Sequence, residues 1–474
     1  MHINEFTQNL DVTRYISMLV GILIVNVLLF RNLAYHRYDP IWIVVMTLSF
    51  QLTTPIYAFF YDQTINKEHV IYVALALISF LIGAQISHLF LKTKWKTLSV
   101  DLRQNLQSDI IRKKREQRFI YLFLTLSSFL LVLALGVRAA TVGLPIFSNN
   151  PDLEKLLVNQ GGFGVLERII EPSVNGSLIL IYYLIYIKRK FTLPLLIYSL
   201  APLTALLVSG SKGTLLTAYY TFFFTNIYIA FREHKRFTFV SLKVIVLGAI
   251  AVMGYAVFVL VTRARGTGVN NIDNFVVQSL LARFIAFSDG IYYYFQNGSL
   301  LGRLFYEPSE YIYQYWAVPL LAPLRLVAYP AQSLGNAIIS TRFGGNWLGG
   351  PNPTMSVEGY VFFGFIGGAI YCFCLGILFS FCRRIMLKIR TGNRLKELLL
   401  FCIGNLLSMK ITGDMLLFAA SIFDYSVVIT FTFLVGCLIY TVQKYAPYLF
   451  FRSKMTMYTP INTGISTPSE ASVP

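Results

Sequence analysis

The chain has 474 residues, of which 56% are hydrophobic and only 13% charged, with a mean hydropathy of +0.61. A soluble globular domain carries roughly 25% charged residues, so about half the expected charge is missing and a soluble domain is excluded. The net charge of +18 then reads as basic loops facing anionic lipid and fixing topology, rather than as a nucleic-acid-binding surface.

Apolar runs recur along the whole chain at the length of membrane-crossing helices. They predict an all-α, polytopic membrane protein with about eleven spans (10–14 by the same criterion). The spans lie near 13–31, 40–60, 70–91, 119–137, 174–187, 193–208, 214–231, 238–261, 358–382, 397–418 and 425–443. No small-residue cleavage site follows the first run, which reads as a retained span rather than a signal peptide. The loop 92–118 holds nine basic and three acidic residues, and IKRK at 187–190, REHKR at 232–236 and RRIMLKIRTGNRLK at 383–396 are likewise basic. Eleven spans place all four in the cytoplasm, with the N-terminus outside and the tail 444–474 inside. The division is then a first bundle over 1–261, a large outer loop over 262–357 and a second bundle over 358–443. No tandem repeat is visible. Five cysteines (Cys372, Cys374, Cys382, Cys402, Cys437) lie in or beside apolar runs and offer neither a disulfide framework nor zinc spacing.

Candidate chemistry follows the outer loops. The first, 138–173, opens on Arg138. SGSKGT at 209–214 has the wrong residue order for a nucleotide-binding loop. Its Lys212 reads either as an anion ligand beside glycine amides or as a lysine reaching lipid headgroups. The loop 262–357 has six arginines (Arg263, Arg265, Arg283, Arg303, Arg325, Arg342) and no lysine. Arginine binds phosphate and carboxylate through a planar fork, so the set suits an anionic ligand. The plainer alternative is pairing with Asp273, Asp289, Glu307 and Glu310, together with lipid headgroups. The aromatic runs IYYYF, LFYE and YIYQYW suit sugar stacking or interfacial anchoring. That loop holds no histidine, which excludes histidine-based chemistry within it.

Glu358 stands in FGGNWLGGPNPTMSVEGYVFFGFIGG, residues 343–368, at the outer mouth of the ninth span. There it either complements the helix dipole or acts as a general base. Lys410 and Asp414 are four apart on one face of the tenth span, as a neutralising pair or a functional one.

Four stretches together resemble the O-antigen and oligosaccharide repeat-unit polymerases (Wzy-type): VGLPIFSNN at 142–150 with GGFG at 161–164, SGSKGT, TRARG at 262–266, and EGYVFFGFIG at 358–367. Lysine stands at 212 where that family more often has arginine. The resemblance implies a metal-independent, cofactor-free membrane glycosyltransferase similar to the GT-C class, in the bacterial inner membrane. It implies polymerisation, on the periplasmic face, of undecaprenyl-pyrophosphate-linked units for O-antigen (lipopolysaccharide) or capsule. The growing chain moves to a new lipid-linked unit and undecaprenyl pyrophosphate leaves. Partners would be the lipid-linked oligosaccharide and the bilayer, with a chain-length regulator and flippase of the same pathway. On that reading Lys212, Arg263 and Arg265 hold pyrophosphate, with Arg138, Arg283 and Arg342 as secondary contacts. Glu358 is the first choice for the base and Asp289 the second. The alternatives are an O-antigen ligase-type transferase, which ordinarily uses a loop histidine, and a lipid-linked oligosaccharide flippase or transporter.

Overall fold

The computed structural model describes residues 10–91, 106–141, 143–144, 164–188, 192–208, 212–233, 288–296, 307–322, 334–343, 353–388 and 393–455, with isolated positions in 250–279, 326–327 and 391. Its helices, in chain order, are α1 (Val12–Phe30), α2 (Ile41–Tyr57, continued by a wide turn Ala58–Asp62), α3 (Lys67–Phe90), α4 (Leu106–Thr141), α5 (Gly164–Tyr182, continued by Tyr183–Ile187), α6 (Leu193–Val208), α7 (Lys212–Glu233), α8 (Asp289–Phe295), α9 (Pro308–Ile312, continued by Tyr313–Ala317), α10 (Val318–Leu321), α11 (Leu334–Phe343), α12 (Met355–Lys388), α13 (Arg394–Ile411) and α14 (Met415–Met455). Among the described residues there is no strand, and one isolated bridge joins Ile65 to Gln296. Among the described residues, six helices are long and apolar enough to cross a membrane: α1, α2 with its turn, α3, α4 from Glu116, α12, and α14 to Ile439. This is a helical multi-pass membrane protein.

Two compact units divide the chain, Met1–Val428 and Ile429–Pro474. In the described part of the second, α14 continues with Phe433, Leu434 and Leu438 exposed, as a lipid-facing helix requires. The first unit contains the core. One apolar cluster joins α1, α2, α3, α8, α9, α12 and the start of α14, and another joins α4, α5, α6, α7 and α13.

Contacts sort the helix ends onto two faces. Lys388 donates to the Phe90 carbonyl, Arg384 to those of Asn32 and Leu33, and Arg232 to that of Leu387. Arg232 also pairs with Glu397 at 3.1 Å, and Lys188 with Glu116 at 3.3 Å. The ends of α3, α7 and α12 and the start of α13 therefore meet on one face, and the end of α5 is tied to α4 at Glu116. Within that face Arg383 pairs with Asp39 at 2.6 Å, the two side chains 2% and 0% exposed.

Several span boundaries differ from the sequence reading. The helix over the predicted fifth span begins at Gly164 rather than near 174, so Arg168 and Glu171 are helical rather than in a loop. The helix over the predicted tenth span ends at Ile411, not 418, because Thr412–Asp414 forms a turn and Asp414 caps α14, its Oδ1 accepting from Leu416 N at 2.8 Å. An aspartate in that position satisfies an orphan helix donor. The eighth span, 238–261, lies largely outside the described residues.

The ninth span differs most. At Gly364 the backbone takes φ 70°, ψ −166°, a region essentially restricted to glycine. The chain reverses there, so 355–363 folds back along the following helix, 365–388. Gly359 and Gly368 meet backbone to backbone, Cys372 Sγ reaches the Met355 carbonyl at 3.6 Å, and Phe363 stacks on Tyr371. In a straight helix, residues 355 and 372 would be separated by roughly 25 Å at 1.5 Å rise per residue. Below the reversal α12 lies hard against α3, where a side chain on Gly83 or Gly376 would overlap the facing backbone.

Gly364→Ala is expected to lower stability by about 1–3 kcal/mol through backbone strain, although no atom obstructs a methyl there. Gly136→Ala, in a helix and equally unobstructed, is the matched control, expected neutral or slightly stabilising. Melting temperatures of the purified variants decide the comparison.

Candidate functional site

The reversal at Gly364 carries Glu358 into the interior, not to an open mouth. Its side chain is fully buried. Oε2 accepts from the Tyr371 hydroxyl at 2.9 Å, Oε1 accepts from the Met415 amide at 3.2 Å, and the Tyr315 hydroxyl also donates to the carboxylate. Tyr311 hydrogen-bonds Tyr371 at 3.1 Å and stacks on Tyr315. The Met415 amide is one of the donors a helix leaves unpaired at its N-terminus, and the helix dipole adds to the attraction. Asp414, 8% exposed, caps the same helix and lies close enough to act electrostatically on Glu358. Three elements thus converge on one carboxylate: α9 with its turn, both limbs of α12, and the start of α14.

Around this centre lie two further groups of side chains. Tyr360 packs against His69, Tyr72, Tyr294 and Phe295, and Tyr72 donates to the Ser356 carbonyl at 2.8 Å. The other group is ionic. Arg168 pairs with Asp424 at 2.6 Å, donates to the carbonyls of Pro319 and Ala420, and lies over Phe423. Lys410 pairs with Glu171 at 2.6 Å and donates to Ser421 at 2.6 Å, while Asn175 donates to Tyr425 at 2.7 Å. α5 is thereby fastened to α10, α13 and α14.

The predicted site residues are distributed unevenly. Glu358 and Asp414 come together. Lys410 takes Glu171, not Asp414, as its ion-pair partner, because the turn at 412–414 removes Asp414 from the helix face assumed for it. Asp289 opens α8 behind Ser288, whose hydroxyl continues the chain Tyr15–Thr54–Ser288 at 2.9 and 2.6 Å. Arg138 is buried in the last turn of α4, and Arg265 is exposed. Lys212 begins α7 and Arg342 lies in α11, but their side chains are outside the described residues, as are Arg263 and Arg283. Among the described residues no three His, Cys, Asp or Glu side chains gather as metal ligands.

Arg168, Glu171 and Asp424 escaped the sequence reading. Arg168 and Glu171 fell within the outer loop 138–173, yet Arg168, Glu171 and Asn175 have the spacing of one helical face. A lone Asp424 within an apolar run is a functional flag on its own.

No protein-family model, curated protein or solved structure matches this chain.

Arg168→Met is expected to destabilise by about 3–5 kcal/mol, since it strands a mostly buried Asp424 carboxylate. Adding Asp424→Asn should recover part of that loss. Thermal unfolding of the two single variants and the double variant measures the coupling.

Proposed function

We propose that this chain is a repeat-unit polymerase of surface polysaccharide, a membrane glycosyltransferase acting on undecaprenyl-pyrophosphate-linked oligosaccharide. The observation that carries the reading is the placement of Glu358. The glutamate of the EGYVFFGFIG stretch is a buried carboxylate among phenols, at the face opposite the basic loops. With those loops cytoplasmic, the carboxylate stands on the periplasmic side of the bacterial inner membrane.

In the reaction an acceptor sugar hydroxyl attacks the anomeric carbon of the growing chain. The bond to pyrophosphate oxygen breaks, undecaprenyl pyrophosphate leaves, and the hydroxyl proton passes to a base. Lys212, Arg263 and Arg265 hold the diphosphate, with Arg138, Arg283 and Arg342 around them, since developing charge on the leaving group calls for fixed cations. Glu358 is the base. Because it is fully buried, limb 355–363 must swing away from α14 before a hydroxyl reaches it. Asp289, partly exposed on α8, is the second choice and needs no such opening.

One observation favours a second reading. A helix interrupted within the membrane, with a carboxylate at the N-terminus of the next helix, is also the architecture of secondary transporters, and a flippase of lipid-linked oligosaccharide would use it. Deletion separates the two. A polymerase-null strain should display surface glycan with a single repeat, whereas loss of all surface glycan would identify a flippase or ligase. In the complemented strain Glu358→Gln should abolish polymer ladders at normal protein level. Full ladders would remove Glu358 as base.

A further inference from the structure

Among the described residues, the charges around the turn between α13 and α14 do not balance. Glu358 and Asp414 are 0% and 8% exposed, and both accept from neutral donors. Glu358 is bonded by Tyr371, Tyr315 and the Met415 amide, and Asp414 by the amides of Leu416 and Leu417. The groups facing Glu358 are Asp414, Tyr311, Tyr315, Tyr371 and Cys372, and those facing Asp414 are Glu358, Lys410, Tyr311 and Tyr315. Lys410 is the one cation in that set, and its ammonium is bonded to Glu171 and Ser421. Asp424 beyond it is held by Arg168. The connected set therefore contains four carboxylates and two cations, and the excess negative charge falls on the two most buried acids. An uncompensated charge in so apolar a setting neutralises rather than persists.

A buried acceptor at the same turn also stands open to a hydrogen donor. Gln51, fully buried on α2, donates through Nε2 to the Thr412 carbonyl at 3.4 Å. Its Oε1 has no hydrogen-bond partner among the described residues. Buried acceptors are nearly always paired.

We propose that this turn is a proton-binding site in which Glu358 and Asp414 carry one proton between them. Uptake of the proton from water changes the pair from two negative charges to one. Release returns it to water and restores the second charge, drawing Lys410 from Glu171 toward Asp414, four residues along. The tie between α13 and α5 is thus made in the protonated form and loosened in the deprotonated one. Either reading of the function accommodates this, and its failure would leave both standing.

Infrared spectroscopy of the full-length protein in lipid nanodiscs tests it. At neutral pH the wild type should show a protonated-carboxyl stretch that shifts in heavy water. Glu358→Gln and Asp414→Asn should each remove or displace it, and Asp424→Asn should leave it. Isotope-labelled glutamate and aspartate assign the band in the wild-type chain, so a variant that fails to fold does not block the test. No such band, or a band that survives both substitutions, overturns the proposal. Exchanging sodium for choline at constant ionic strength should leave the melting temperature unchanged. A sodium-specific rise would overturn the proton in favour of a metal ion.

Discussion

A carboxylate can be held in an apolar interior only where hydrogen-bond donors surround it or a cation or proton neutralises it. That constraint organises the end of the bundle opposite the basic loops. Glu358 obtains its donors from three sources that are distant in sequence: the Tyr311–Tyr315 turn, Tyr371 on the returning limb of its own helix, and the free amide at the head of α14. None of these would reach it if α12 were straight. The reversal at Gly364 is what brings Glu358 beside Tyr371 thirteen residues later, and Asp414 fixes the helix end on which the carboxylate rests.

The opposite face is organised differently. Asp39 and Arg383 are fully desolvated, with Tyr35 beneath the guanidinium and donating to the Arg383 carbonyl. A pair of this kind contributes little net stability, yet losing either partner is costly, so it fixes where the 31–40 segment meets the end of α12. Arg384 reinforces it by donating to the carbonyls of Asn32 and Leu33, just beyond the C-terminal end of α1, where a cation is favoured. One face thus rests on a desolvated ion pair, whereas the other sets Glu358 and Asp414 among phenols and amides beside the pairs Arg168–Asp424 and Lys410–Glu171.

Much of this was legible in sequence. The apolar runs placed α1, α2, α3 and α6 to within a few residues, because lipid imposes both length and composition on a spanning helix. The alternation of basic loops assigned the helix ends to faces. Periodicity could not reveal the break at Gly364, since VFFGFIGG is apolar on both sides of it and a glycine within a helix is ordinarily tolerated. Glu358 was singled out at the mouth of the ninth span, but its burial depends on the fold-back and on α14, neither of which is local. The Thr412-Gly413-Asp414 sequence did carry a stop-and-cap signal. It was overridden by the apolar residues beyond it, and Lys410 was consequently given the wrong partner.

The reversal at Gly364 is the claim on which the site depends, and cross-linking tests it most directly. In a chain whose other native cysteines are replaced by serine, a cysteine introduced at Met355 or Ser356 should form a disulfide with native Cys372 under mild oxidation. A continuous helix would hold those positions roughly 25 Å apart, and no cross-link at either position would contradict the account.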